Sequence, residues 1–205
     1  MSKLSIESKE LSGVVLINTF FVEDARGNTV KNFEHLSYLD IGVDFIPTES
    51  LVIRSNQGTL RGLHFQRKNS QSRLITCLQG EIFVVAVNVC ANSCQYGQYT
   101  TVRMSSEMKK ALYVPGKYAL GTLAMESSLI HCLCDGHFCA EEVSGIRWDD
   151  EDLCIKWPLD ELNILPVISN KDLALPSLKE FEQWGMKKYE GNRLYCENIN
   201  KRRHF

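Results

Sequence analysis

The sequence has little of what marks an exported, membrane-spanning or nucleic-acid-binding protein. Its 205 residues carry a formal net charge of -2, so no basic excess is present to bind a polyanion. No stretch reaches the ~18 consecutive apolar residues of a membrane-spanning helix, and the first residues, MSKLSIESKE, lack the apolar core of a signal peptide. We therefore expect a cytoplasmic protein that binds neither membranes nor nucleic acid.

The 8 cysteines do not indicate a disulfide-stabilised fold. A chain of this length can bury a substantial apolar core without covalent cross-links, and no export signal directs it to an oxidising compartment. We expect reduced thiols, most of them acting as small apolar core residues.

Helical periodicity is almost absent before residue 170, and short stretches of alternating apolar and polar residues take its place. Turn signals such as Gln79-Gly80 and Pro115-Gly116 separate these stretches. The predicted strands are Val14–Phe20, Leu74–Leu78, Ile82–Val89, Tyr99–Met104, Ala111–Val114, Gly121–Met125 and Leu129–Cys134. Many short strands at this spacing predict an all-β sandwich or barrel.

Two segments are predicted to be helical. Asn32–Tyr38 is a candidate for a short helix, and Ser177–Lys188 has three apolar residues at helical spacing behind the N-cap candidate Ser177. We therefore expect one main β domain over residues 1–176 and a C-terminal helical extension and tail over residues 177–205.

The stretch Leu60–Gln66, with the sequence LRGLHFQ, brings an arginine, a histidine and a glutamine into one predicted strand. Alternation along a strand points His64 and Gln66 to the same face. A lone histidine beside apolar residues is more often a satisfied core residue than a catalyst. These residues alone therefore leave both interpretations open.

The same stretch resembles the signature of the dTDP-4-dehydrorhamnose 3,5-epimerase family, in which LRGLHFQ occurs unchanged. Further motifs of that family follow in the same order: DARG at 24–27, GEIF at 80–83, YVP at 113–115, GIRWDD at 145–150, IKWP at 155–158 and SNKD at 169–172. The resemblance covers about residues 12–177.

The resemblance implies a cupin-type jelly-roll barrel with short peripheral helices, and a homodimer in which N-terminal strands reach across to the partner. Family members act on nucleotide-diphospho-4-keto-6-deoxysugars, whose ketone acidifies the protons on carbons 3 and 5. A base removes such a proton to give an enolate, and reprotonation on the other ring face inverts the carbon. Because the ketone itself accepts the electrons, no cofactor is expected.

The catalytic residues that the resemblance implies are His64, at the position of the family's base, and Asp172, at the position of the carboxylate that orients it. Histidine suits this role because its pKa lies near the operating pH. Arg61 matches the arginine beside the base, and Arg73 stands where the family usually has a lysine. Both would stabilise the enolate.

The substrate-binding residues implied in the same way are Arg26 and Phe138. Arg26 matches an arginine that contacts the diphosphate, and Phe138 is expected to stack on the nucleotide base. Gln66, on the predicted face of His64, is expected to contact the substrate as well. The region from Glu23 to Phe33 departs from the family pattern, with Asn28 where an aromatic residue is common and Lys31 where an acid is common. These changes leave the nucleotide open, with thymidine, cytidine and guanosine all compatible.

Two departures from the family pattern bear on the acid–base chemistry. Leu120 stands in place of a pocket histidine, and Leu133 falls on the position of the tyrosine proposed as the general acid, with no tyrosine between Tyr118 and Tyr189. An epimerase is the leading hypothesis, acting at carbon 3, at carbon 5 or at both. A ketoisomerase using the same proton abstraction and a non-catalytic cupin that binds sugar nucleotides are the alternatives.

Cys132, Cys134 and Cys139 lie close to His131 and His137 in the sequence, a spacing that could indicate a zinc site. Strand alternation places the first two cysteines on the face opposite His131, and the His-x-His pair typical of metal-binding cupins is absent from the sequence. We therefore expect no metal and interpret the strand cysteines as core residues.

Overall fold

The structure, a computed structural model, describes residues 3–182. Its strands are β1 (Ser5–Lys9), β2 (Val15–Asn18), β3 (Phe20–Asp24), β4 (Gly27–Lys31), β5 (Glu49–Ser55), β6 (Leu60–Gln66), β7 (Arg73–Gln79), β8 (Glu81–Asn88), β9 (Tyr99–Ser105), β10 (Lys110–Val114), β11 (Tyr118–Ala124), β12 (Ser128–Cys134) and β13 (Val143–Gly145). The helices are α1 (His35–Asp40) and α2 (Asn170–Leu173), with 3₁₀ turns at Ser106–Met108, Ala140–Glu142 and Leu159–Glu161. Residues 178–182 are also helical. No helix in this part of the chain is long and apolar enough to span a membrane.

Two antiparallel sheets form the body of the protein. The larger has the strand order β1-β2-β10-β7-β12-β5, and the smaller has the order β13-β6-β11-β8-β9. A hairpin of β3 and β4 forms a separate two-stranded sheet. The six-stranded and five-stranded sheets face each other across a shared apolar interior, which confirms the predicted cupin-type jelly-roll barrel.

Both sheets are covered on both faces. The interior cluster combines side chains from the two sheets, such as Ile75 of β7 and Val84 of β8. The outer face of the six-stranded sheet is covered by residues 33–45, and that of the five-stranded sheet by residues between 146 and 181. Strands buried on two sides need apolar residues at nearly every position, which explains the run IFVVAV in β8.

Each strand predicted from the sequence overlaps an observed strand, and the strands that were not predicted are short or mostly exposed. β1, β4 and β5 carry polar side chains at many positions, so their apolar alternation is weak. The helix predicted at Asn32–Tyr38 begins later, at His35. Of the helix predicted at Ser177–Lys188, residues 178–182 are helical and the remainder lies outside the described residues.

Gly62 allows β6 to lie against β11. Its φ is +115°, a backbone conformation that favours glycine, and a Cβ atom there would lie 2.5 Å from the carbonyl oxygen of Leu120 and 2.6 Å from the Cα of Gly121. The strand that carries His64 can therefore take this path only with glycine at position 62.

The aromatic cluster outside the six-stranded sheet predicts a large difference in stability between two neighbouring residues. Phe45 is buried and packs edge-on against Phe33 and Tyr113, whereas Ile46 is 63% exposed. Phe45→Ala should lower the free energy of unfolding by about 3–5 kcal/mol through lost burial and a cavity. Ile46→Ala should change it by less than about 0.5 kcal/mol. Urea denaturation of both variants measures the difference, and equal effects would contradict this packing.

Candidate active site

His64 and Asp172, 108 residues apart in sequence, are hydrogen-bonded to each other. Nε2 of His64 lies 2.9 Å from Oδ1 of Asp172. Because an ionised carboxylate can only accept, Nε2 is the donor, and the neutral ring then has its lone pair on Nδ1. The His64 side chain is 33% exposed whereas that of Asp172 is only 6% exposed. The pair therefore consists of a buried carboxylate and an imidazole that external molecules can reach.

Asp172 is held by the chain on both sides. Its Oδ2 accepts a hydrogen bond of 3.1 Å from the backbone N–H of Gly62, two residues before His64. Its own backbone N–H donates to the hydroxyl of Ser169, the N-cap residue of α2. The SNKD motif thus forms a capped turn that fixes the carboxylate against β6.

The two arginines predicted beside the base have different surroundings. Arg73, the first residue of β7, donates from Nη1 to the backbone carbonyl of His64 over 3.5 Å and is partly buried. Arg61 is exposed, and its guanidinium donates to the Ser55 hydroxyl at 3.1 Å and to the Arg54 carbonyl at 3.2 Å. Arg73 therefore lies next to the base, while Arg61 is tied to the end of β5.

Gln66 is buried, and its amide hydrogen-bonds to the backbone of two loops. Nε2 donates to the carbonyls of Asn69 at 3.0 Å and His137 at 3.1 Å, and Oε1 accepts from the N–H of Cys139 at 2.6 Å. Both amide hydrogens are thus committed to the protein. Gln66 lies in the expected strand, and these bonds make it a residue that positions the 137–139 loop.

Phe138 and Arg26 are both exposed residues. Phe138 is 51% exposed and lies between the two residues that Gln66 holds. Arg26 lies on the separate hairpin of β3 and β4, where its side chain is 90% exposed and pairs with Asp24 at 2.6 Å. The structure therefore groups His64, Asp172 and Arg73, and it carries Arg26 on a different sheet.

Leu133, which counting along the family motif aligns with the tyrosine acid, does not face the barrel interior. Leu133 packs in the outer cluster of the six-stranded sheet, whereas Cys132 and Cys134 belong to the interior cluster. His131 also faces outward, and its Nε2 lies 3.0 Å from the Ser50 hydroxyl. Alternation correctly separated the cysteines from His131, but it could not identify the interior face because apolar side chains cover both faces of β12.

Leu120 lies across from His64 in the ladder between β11 and β6, and it packs against the interior cluster. In contrast, Leu63 and Phe65, the neighbours of His64, belong to the outer cluster of the five-stranded sheet. The alternation of β6 therefore turns His64 toward the barrel interior. Among residues 3–182, no group of three or more His, Cys, Asp or Glu side chains is arranged to hold a metal ion.

This arrangement of two facing sheets, with a His–Asp pair on one wall, places the chain among the cupin-type jelly-roll proteins. The model of the dTDP-4-dehydrorhamnose 3,5-epimerase family matches residues 8–180. The chain belongs to this family. A curated relative, the dTDP-4-dehydrorhamnose 3,5-epimerase of Methanothermobacter thermautotrophicus, is 34% identical over 181 residues, which are 88% of this chain and 97% of the relative.

Solved structures show the same fold. The dTDP-6-deoxy-D-glucose-3,5-epimerase of Legionella pneumophila, in complex with dTDP-4-keto-L-rhamnose, is 28% identical with a TM-score of 0.81, covering 86% of this chain and 93% of that one. ChmJ, a 3'-monoepimerase from Streptomyces bikiniensis in complex with dTDP-quinovose, is 28% identical with a TM-score of 0.78, covering 91% of each chain.

The contact between His64 and Asp172 predicts a single tautomer of the neutral imidazole. With the carboxylate as acceptor, the ring proton should reside on Nε2, and ¹⁵N NMR of ring-labelled protein can observe it. Asp172→Asn should weaken this preference because an amide can donate as well as accept. An Nδ1–H tautomer in the natural protein would contradict the geometry.

The bonds of Gln66 predict that one side chain holds the loop carrying Phe138. Gln66→Leu should leave the N–H of Cys139 and the carbonyls of Asn69 and His137 without this partner, so the Cys139 amide should exchange with solvent faster. Gln66→Glu keeps an acceptor for Cys139 but removes both donors, so it should preserve more of that protection. Hydrogen exchange followed by NMR, with the Val85 amide in β8 as the internal reference, measures both. Unchanged Cys139 exchange in the leucine variant would contradict the role of Gln66.

Proposed function

We propose that the protein is an epimerase of a dTDP-linked 4-keto-6-deoxysugar and that His64 is its base. The observation that carries the proposal is the hydrogen bond between the accessible imidazole of His64 and the buried carboxylate of Asp172. Membership of the epimerase family and the dTDP-sugars bound to its structural relatives support this substrate class.

The reaction begins when Nδ1 of His64 takes the proton from a carbon next to the ketone. The positive charge that forms on the imidazole is stabilised by Asp172, whose ring contact also keeps Nδ1 directed at the substrate. Asp172 itself does not need to take up the proton. Two of its acceptor positions are already filled, by His64 and by the N–H of Gly62.

The electrons released from the carbon move onto the ketone oxygen, which becomes negatively charged. A cation already fixed near this oxygen lowers the barrier because it does not need to reorganise as the charge develops. Arg73 meets this requirement, since its guanidinium is partly buried and is bonded to the backbone of His64. Arg61 is the second candidate for this role.

The nucleotide is proposed to bind outside the barrel. Phe138 offers an exposed ring for stacking on the base, and Arg26 offers an exposed guanidinium for the diphosphate. Because Arg26 lies on a hairpin that forms its own sheet, we assign it to the site of a second copy in a homodimer. Gln66 then contributes indirectly, by fixing the loop of Phe138.

Incubation with dTDP-linked 4-keto-6-deoxyglucose in deuterium oxide tests the function directly. NMR should show deuterium and inverted configuration at carbon 3, at carbon 5 or at both, because each inversion passes through an enolate that exchanges its proton with solvent. Deuterium incorporation accompanied by movement of the ketone to another carbon would identify a ketoisomerase. Binding without any exchange would identify a non-catalytic protein, and either result would contradict the proposal.

Replacing His64 should abolish the chemistry while leaving the fold and the binding of dTDP intact. In His64→Asn the amide has no usable basicity, so the rate of solvent exchange should fall by about 10²–10⁴-fold. His131→Asn is the matched control, because His131 faces outward and contacts Ser50 instead of Asp172. The variants are compared by the rate of deuterium incorporation and by calorimetry with dTDP. Normal exchange in His64→Asn would remove His64 from the mechanism.

A further inference from the structure

We propose that the thiol of Cys134, supported by Cys132, is the group that returns a proton to the enolate. The inference rests on the proposed epimerase function and adds its second acid–base residue. Inversion requires that the proton leave one face of the sugar ring and return to the other. A donor is therefore needed on the wall of the barrel opposite His64.

Cys134 lies on that opposite wall. His64 belongs to β6 of the five-stranded sheet, whereas Cys134 is the last residue of β12 in the six-stranded sheet. Cys132 and Cys134 both belong to the interior cluster, and their sulfur atoms are 3.8 Å apart. Both are free thiols. The two groups required for inversion thus approach the interior from different sheets.

A row of polar side chains crosses the six-stranded sheet at Cys134. Cys134 is paired with Arg73 of β7 on one side and with Glu49 of β5 on the other, and residues directly opposite in an antiparallel ladder share a face. Arg73 in turn donates to the backbone carbonyl of His64. Arg73 therefore lies between the proposed base and the proposed acid, next to both.

The surrounding charges distinguish Cys134 from an ordinary core cysteine. The hydrogen bond from Cys132 and the positive charge of Arg73 lower the pKa of Cys134, against the opposing effects of burial, Glu49 and Asp135. A thiol with a lowered pKa is a stronger acid at neutral pH, and its thiolate is stabilised by the nearby guanidinium.

Other proton donors of the interior cluster are less suitable. Cys77 lies four residues further along β7 than Arg73, about 13 Å away along the strand, and burial raises its pKa to about 11. Tyr118 donates its hydroxyl hydrogen to the Ser12 carbonyl, and burial raises its pKa as well. Among the interior donors in the described part of the chain, Cys134 is the one beside Arg73.

In the proposed step, Cys134 transfers its proton to the carbon of the enolate. The S–H bond of Cys134 breaks, a C–H bond forms on the ring face opposite His64, and the enolate electrons re-form the ketone. Cys134 is left as a thiolate beside Arg73. It regains a proton through Cys132 or from solvent, while the imidazolium of His64 releases its proton to solvent, so no oxidant or reductant is consumed.

The test compares inversion with deuterium incorporation in the full-length protein. Cys134→Ala should slow inversion of dTDP-linked 4-keto-6-deoxyglucose on the order of 10²-fold while His64 continues to exchange the proton, so the ratio of exchange to inversion rises. Cys134→Ser should do the same with little change in volume, because a hydroxyl is a much weaker acid. Cys77→Ala, which removes a thiol from the same interior cluster, is the matched control and should keep the natural ratio. Inversion at the natural rate in the Cys134 variants would overturn the proposal.

A thiolate titration separates this inference from the proposed function. Absorbance at 240 nm should show a thiolate that forms below the range of an ordinary cysteine, that is lost in Cys134→Ala, and that forms at higher pH in Arg73→Met. A titration with no such group would overturn the role of Cys134 even if the protein inverts its substrate. Absence of both exchange and inversion in the natural protein would instead reject the epimerase function.

Discussion

Burying a carboxylate costs several kcal/mol unless hydrogen bonds replace the water it loses, and the site is organised around how Asp172 meets this constraint. One oxygen is bonded to the ring of His64 and the other to the backbone N–H of Gly62. Both partners lie on β6, so the bonds also dock α2 and its N-cap onto that strand. The orientation of the imidazole therefore depends on the correct packing of a segment 108 residues away.

Further segments pack on the outer faces of both sheets, and this explains why the barrel interior can carry polar residues at one end while it is apolar elsewhere. Residues 33–45 and residues between 146 and 181 cover the outer faces of the sheets. Apolar side chains are therefore buried outside the barrel as well as in its interior. The interior can then accept Arg73, Cys134 and Glu49 in one row without losing its core. The same row joins the two walls of the barrel through the contact of Arg73 with the backbone of His64.

Strand alternation predicted a sandwich or barrel, whereas the cupin type of the fold and the pair of His64 and Asp172 came from the resemblance of LRGLHFQ and SNKD to the family's motifs. The sequence could not reveal how Gln66 uses its amide, since its partners are backbone groups of distant loops. It also could not reveal that Leu133 packs on the outer face of the six-stranded sheet. In a strand covered on both faces, hydrophobicity does not distinguish the interior, so Cys134 could be recognised only from the ladder that sets it beside Arg73.

The most direct measurement is a crystal structure of the protein with dTDP-quinovose, a sugar nucleotide without the reactive ketone. We expect Nδ1 of His64 to lie about 3–3.5 Å from carbon 3 or carbon 5, with Arg73 near the oxygen on carbon 4 and Cys134 on the opposite side of the ring. A sugar that binds with His64 turned away from both carbons would exclude His64 as the base.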